Sequence, residues 1–250
     1  MTTLVAGVGE LYQGDLDLGR LAADRLAAEG LGPDVLVEDL YYGALAVAQR
    51  LEELRPTSLV LVGAVARGRG PGTVERRRIV PGPIDPAAFR AAVEQAGTGY
   101  VSMDLVVQVG LGLGVLPRRT LLFEVEPNGV EPAERLSPEA EDALEDVIHL
   151  VREEVRRFPL LELADRLRPR LEGDHLEPAD AVDAMRALLL ELDVVDQAGR
   201  WGRTFALRDA LRLRIAEGRT GEGMDHLDWG LWWGMIEELD RLQALEGSVL

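Results

Sequence analysis

At 250 residues and a formal net charge of −17, the chain is long enough for one large domain, or a main domain with a smaller appendix, and it is strongly acidic. That balance argues against nucleic acid as a partner, since phosphate contacts need clustered cations, and it suits a basic or neutral protein partner. The chain has no cysteine, which removes disulfides and thiolate metal sites, and no lysine, which removes Schiff-base chemistry. No charged-then-apolar leader and no long apolar run is present, so a cytoplasmic protein without a membrane partner is expected.

In chain order, Leu4 to Gly9 is a short apolar run ending in Gly7-Val8-Gly9. A polar loop follows, and then Leu18, Leu21, Ala22, Leu26 and Ala27 recur at helical spacing. This predicts strand, glycine turn and helix, with Asp15 as helix cap and Asp17 set against the macrodipole. The crevice above such a strand is where an α/β domain docks a ligand. The glycines do not form a dinucleotide fingerprint, because Tyr12 stands where the third glycine belongs and Gly14 comes too late.

Asp34 to Asp39 predicts a second strand, and Leu45 to Leu54 a helix that stops before Pro56. Ser58 to Val65 is continuously apolar, the pattern of a strand buried on both faces. Arg67 to Thr73 is a loop, and Val74 to Val80, with three consecutive arginines, predicts an exposed or edge strand. Residues 87–96 and 103–115 predict helices, the second with Gly110, Gly112 and Gly114 packed closely against a sheet. Thr120 to Val125 predicts a further strand, and Ser137-Pro138-Glu139 opens a long helix to about Arg157. Alternating strands and helices imply an α/β fold with a parallel or mixed sheet between helices.

Beyond Phe158-Pro159 the pattern predicts a small, mostly helical appendix: helices over 160–172, 179–192, 206–217 and 229–245, and a hairpin over Val194 to Trp201. The boundaries expected are therefore 1–157 and 158–250.

The punctuation of the first 157 residues resembles the hydrogenase maturation endopeptidases, which process the large subunit of nickel-iron hydrogenases. Three stretches carry it: Gly7-Val8-Gly9 with Asp15 and Gly19; Val62-Gly63-Ala64 leading to Pro71-Gly72-Thr73; and Glu124-Val125-Glu126-Pro127 followed by Leu136-Ser137-Pro138-Glu139. The resemblance implies a three-layer α/β/α domain, a twisted sheet of about five strands, and a metal cleft at the strand ends. In that family one Glu, one Asp and one His recognise nickel installed in the hydrogenase precursor. Here those positions fall on Leu16, Gly63 and the Gly99-Tyr100-Val101 stretch, with no histidine before His149. Leu40-Tyr41-Tyr42-Gly43 replaces the usual Gly-Gly-Thr loop. Leucine and glycine side chains offer no lone pair to a divalent metal, so the inherited metal chemistry is absent and no cofactor is expected.

Other chemistry is weighed residue by residue. Glu10, Asp15, Asp17, Asp39 and Asp104 are candidate cleft acids for a hard cation, against the plainer reading of caps and solvated charges. A hydrolytic triad finds no support: His149 falls on the polar face of a long helix, His175 and His226 lie in the appendix, and Ser58, Ser102 and Ser137 lack a nucleophile elbow. Asp225-His226 with Asp228 reads as a surface group rather than a ligand cluster. Trp229, Trp232, Trp233, Met235 and Ile236 form a dense apolar patch, either a core contact or a protein interface. The sequence thus points to a non-catalytic relative of the maturation proteases that acts as a chaperone-like binding or assembly factor for a nickel-iron hydrogenase large subunit or another protein partner. The alternative is an active peptidase with a relocated or substrate-supplied metal, and a purely structural subunit is a third.

Overall fold

The computed structural model describes residues 2–172. The chain divides into two compact units, Met1–Val155 and Arg156–Leu250, and the described elements all begin in the first. In order these are β1 (Thr3–Gly7), α1 (Leu18–Glu29), β2 (Val35–Asp39), α2 (Ala44–Leu54), β3 (Ser58–Ala64), β4 (Val74–Ile79), α3 (Pro86–Ala96), α4 (Met103–Leu113), β5 (Arg119–Val125) and α5 (Pro138–Glu172). The strands form one five-stranded sheet in the order β2-β1-β3-β5-β4. All pairs are parallel except β4 with β5, which is antiparallel at the edge.

Side chains alternate across a strand, so each buried strand supplies two cores. Leu4, Ala6, Leu59, Leu61 and Leu122 join one cluster with Val47 and Leu51 of α2, Ala92 of α3 and Val106 and Val109 of α4. The alternate residues Val5, Val60, Val62, Leu121 and Phe123 are equally buried, as are Leu18, Ala22 and Leu26 of α1 and Ala140, Leu144 and Val147 of α5. Ion pairs Arg25–Glu145 and Arg152–Glu29 tie α1 to α5. Arg76 of β4 donates to the fully buried Glu154 of α5 through Nε and Nη2, both at 2.9 Å. The result is the expected α/β fold: helices on both faces of a mixed sheet.

Two local expectations are corrected. Gly110 and Gly112 of α4 do pack closely, but not against the sheet: a Cβ on Gly110 would lie 2.6 Å from Leu116 Cδ2 in the loop that follows, and one on Gly112 would lie 2.0 Å from Phe89 Cδ2 of α3. Gly114 is not packed at all; a Cβ there would meet nothing within 4 Å, and its positive φ of 68° ends the helix. The long helix does not end near Arg157; it runs through Pro159 to Glu172. A proline removes one backbone hydrogen bond, and with helical patterning on both sides the turns before and after it carry on. Among the described residues no helix is long and apolar enough to cross a membrane. The predicted helices beyond 172, the hairpin, His175, His226 and the Trp229–Ile236 patch lie outside the described residues.

The start of α1 lies against the backbones of β1 and β3. A Cβ on Gly19 would sit 2.2 Å from Val8 O and 2.5 Å from Val62 O, and one on Gly7 would sit 1.9 Å from Gly19 O. No rotamer relieves a backbone contact of that kind. Gly19→Ala is therefore expected to cost about 3 kcal/mol or more in urea denaturation followed by far-UV circular dichroism. Gly70→Ala, whose Cβ would meet nothing closer than Thr73 Oγ1 at 3.6 Å, serves as the control and is expected to cost less than about 1 kcal/mol.

Candidate functional site

β1, β3 and β5 are adjacent parallel strands, so their carboxyl ends share one edge of the sheet, and backbone packs closely there. Val8 N–H donates to Val62 O at 2.8 Å. A Cβ on Gly63 would lie 2.7 Å from Val8 O and 3.4 Å from Met103 Cε, so the position matching the family's aspartate has no room for a side chain. Leu16 is half-buried and uses its carbonyl to accept Glu10 N–H at 3.2 Å. Tyr100 is 45% exposed. An aliphatic chain, a hydrogen atom and a solvated phenol do not make a nickel site, and these residues do not fit that metal.

The candidate acids are not gathered either. Asp15 is buried and does not cap α1. Its carboxylate accepts Asn128 N–H at 2.8 Å, Ser137 N–H at 2.6 Å and the Ser137 hydroxyl at 2.8 Å, which fastens the loop after β1 to the loop before α5. Local spacing favoured a cap, but three donors from across the fold win the carboxylate. Asp17 stands at the start of α1, yet its oxygens take Arg20 at 2.7 and 2.6 Å instead of a backbone amide. Asp104 is held in a fork by Arg67 at 2.8 and 2.6 Å. Asp39 ends β2, and Glu10 is half-buried in the first loop. Among the described residues no group of three or more His, Asp or Glu side chains is placed to hold a metal ion.

The serines are structural. Ser102 Oγ accepts Leu105 N–H at 3.3 Å at the start of α4, and Ser137 Oγ accepts Ala140 N–H at 3.3 Å, the cap its Ser-Pro-Glu context predicts. Ser58 is fully buried at the start of β3. His149 is exposed and 3.4 Å from Glu153, on the polar face as expected.

What does occupy the strand ends is a network of arginines and carboxylates. Glu124, 2% exposed at the end of β5, accepts Arg67 Nη2 at 2.9 Å and Arg77 Nη2 at 2.5 Å on Oε1, and Arg67 Nε and Arg69 Nη2, both at 3.2 Å, on Oε2. Glu126 accepts the backbone N–H groups of Arg67 and Gly68 at 2.8 and 2.9 Å and Arg69 Nε at 3.1 Å. Burial pushes the Glu124 carboxyl up, but the hydrogen bond from Arg67 and the charges of Arg77, Arg67 and Arg69 outweigh it and hold it below the ordinary range. Burial likewise raises Glu126, but its hydrogen bonds from Arg67, Arg69 and Gly68 outweigh it and hold the carboxyl below the ordinary range. Hydrogen bonds to Asp104 and Glu124 push Arg67 further up, so it stays a cation throughout. Carboxylates whose oxygens already accept charged donors are poor metal ligands and poor general bases, and this arrangement holds loops.

Sequence reasoning quoted Glu124 and Glu126 only as motif residues and assigned Arg67, Arg69 and Arg77 no role. The available signal was the three arginines of β4: neighbours on a strand face opposite sides, so Arg76 reaches α5 while Arg77 reaches Glu124.

No family model matches the chain, and no curated protein matches it. Among solved structures it is similar to hydrogenase maturation proteases. One is a hydrogenase 2 maturation peptidase from a Thaumarchaeota archaeon, with 23% identity, 62% of this chain and 98% of that one covered, and a TM-score of 0.44. Another is the [NiFe] hydrogenase maturation protease HycI from Thermococcus kodakarensis, with 19% identity, 62% and 91% covered, and a TM-score of 0.47. A third is the hydrogenase maturating endopeptidase HybD from E. coli, with 25% identity, 62% and 94% covered, and a TM-score of 0.41.

Because the folded Glu124 carboxyl titrates below its unfolded value, the stability it confers is whole above about pH 5 and is lost as the pH falls through the depressed folded value. Glu124→Gln is expected to cost about 3 kcal/mol at pH 7, since it strips a buried charge from three arginines. The same variant is expected to flatten the acid limb of the urea midpoint against pH.

Proposed function

We propose that this chain is a maturation-protease-like scaffold that binds a protein partner in the cytoplasm without cutting it, the partner being a nickel-iron hydrogenase large subunit. The observation that carries this is the chemistry at the three positions matching the family's ligands. Leu16 and Gly63 bring no donor atom, the Cβ space at Gly63 is taken by Val8 O at 2.7 Å, and Tyr100 stands in the stretch matched to the histidine. The motifs that carry the resemblance are present, while the three matched positions bring neither a carboxylate nor an imidazole. The saturated arginine–carboxylate network supports the same conclusion, because it leaves no carboxylate of that cluster available as a base. An acidic surface suits an assembly factor that meets a basic or neutral partner. The family resemblance of the motifs names the partner.

The test is to mix tagged, purified full chain with a hydrogenase large-subunit precursor, with and without added nickel or zinc. Retention of the precursor on the tag with its C-terminal tail intact is expected under every condition. Trimming of the tail in any sample overturns the non-cutting role in favour of a peptidase with a relocated or substrate-supplied metal. Absence of retention overturns the partner.

A further inference from the structure

The outer side of β2 carries an unused half of a hydrogen-bond ladder. β2 is the sheet edge opposite β4. Thr3 N–H donates to Asp34 O and Leu40 N–H donates to Gly7 O, so the even-numbered residues of this stretch bond to β1. A parallel ladder alternates, and Val37 and Asp39 therefore turn N–H and C=O away from β1, where no described residue pairs with them. Both residues line a groove of about 460 Å³ together with Asp24, Glu38, Tyr41 and Arg50.

The groove has a sign. Arg50 is committed to Glu38 at 2.5 and 3.1 Å, and Arg20 to Asp17 and Asp24 at 2.6 and 2.7 Å. Among the residues that line the groove, the carboxylates of Asp24, Glu38 and Asp39 stand against the single guanidinium of Arg50. Its rim is aromatic: Tyr41 is 55% exposed, and its ring meets that of Tyr42 edge-on at 5.7 Å. Tyr100, whose backbone carbonyl accepts Ala44 N–H at 3.4 Å, is also exposed. Tyrosine faces attract cations, and exposed tyrosine is enriched at the centres of protein interfaces.

We propose that the β2 edge receives an extended, arginine- or lysine-bearing segment of a protein partner as an added strand. The outward groups of Val37 and Asp39 give the main-chain hydrogen bonds, and alternate side chains of the incoming segment meet the carboxylates and the Tyr41–Tyr42 rim. A second copy of this chain is the wrong occupant, because its own β2 would set Asp24, Glu38 and Asp39 against like charges. The inference rests on the chain being a protein-binding scaffold and does not depend on which protein it binds.

The test uses the full chain and a short fluorescent peptide that alternates Arg with Val, read by anisotropy and by amide hydrogen exchange. Saturable binding is expected, weakened about tenfold or more when Glu replaces Arg or when alternate peptide amides are N-methylated. Tyr41→Ala is expected to weaken it about threefold. On binding, exchange slows at Val37 and Asp39 and is unchanged at Leu36 and Glu38, which already bond to β1. Failure to bind, equal binding of the acidic peptide, or binding without slowed exchange at Val37 and Asp39 overturns the inference. Precursor retention without peptide binding removes this edge and leaves the scaffold role; peptide binding without precursor retention leaves the edge and removes the hydrogenase partner.

Discussion

The backbone of Val8 is gripped between two glycines, and much else follows from that contact. Cβ atoms on Gly19 and Gly63 would lie 2.2 and 2.7 Å from Val8 O, so α1 approaches β1 and β3 at a distance that side chains would forbid. This close crossing sets where the loop after β1 can travel. It carries Asp15 to Asn128 and Ser137, and the first loop of the fold is thereby locked to the last. The same contact leaves no room for a side chain at Gly63, at the end of β3.

The second organising feature is electrostatic. β4 sets Glu75 directly opposite Glu124, and like charges across an antiparallel pair repel. Arg69 bridges the two, and Arg67 and Arg77 complete the neutralisation. Guanidinium suits this place better than ammonium would, because its fixed fork reaches two carboxylates at once, as Arg67 does with Asp104 and Glu124. In a lysine-free chain that geometry is available at every cation. The network pins the loop over residues 65–73 across the strand ends.

The two sheet edges are handled differently. β4 is antiparallel, and its arginines are turned inward to Glu154 on one face and Glu124 on the other. β2 is short and parallel, with acidic residues and tyrosines around it. Acidity around an open edge discourages pairing between copies of the chain while leaving it attractive to a cationic strand. The exposed Tyr41 and Tyr42 stand on this side, in the loop that follows β2.

By itself the sequence determined what depends on local period and spacing. Continuous apolarity marked β3, alternation with three arginines marked β4 as an edge, and Ser137-Pro138 marked the start of α5. Glycine spacing also marked the β1–α1 turn, and residue identity alone decided that Leu16 and Gly63 bring no ligand. Only the tertiary structure decided which charges meet. Arg67 and Glu124 are 57 positions apart, and Asp15 and Ser137 are 122 apart. Such pairs form because the sheet order sets β5 between β3 and β4. For Asp15 the local cap and the distant clamp competed for one carboxylate, and the clamp prevailed because it offers three donors in a buried place. Helix ends followed the same rule in α4, where glycines that local pattern assigned to a sheet were claimed by Phe89 and Leu116 once the helices had packed. Local pattern selects elements; the partners of each side chain depend on neighbours that exist only after the chain has folded.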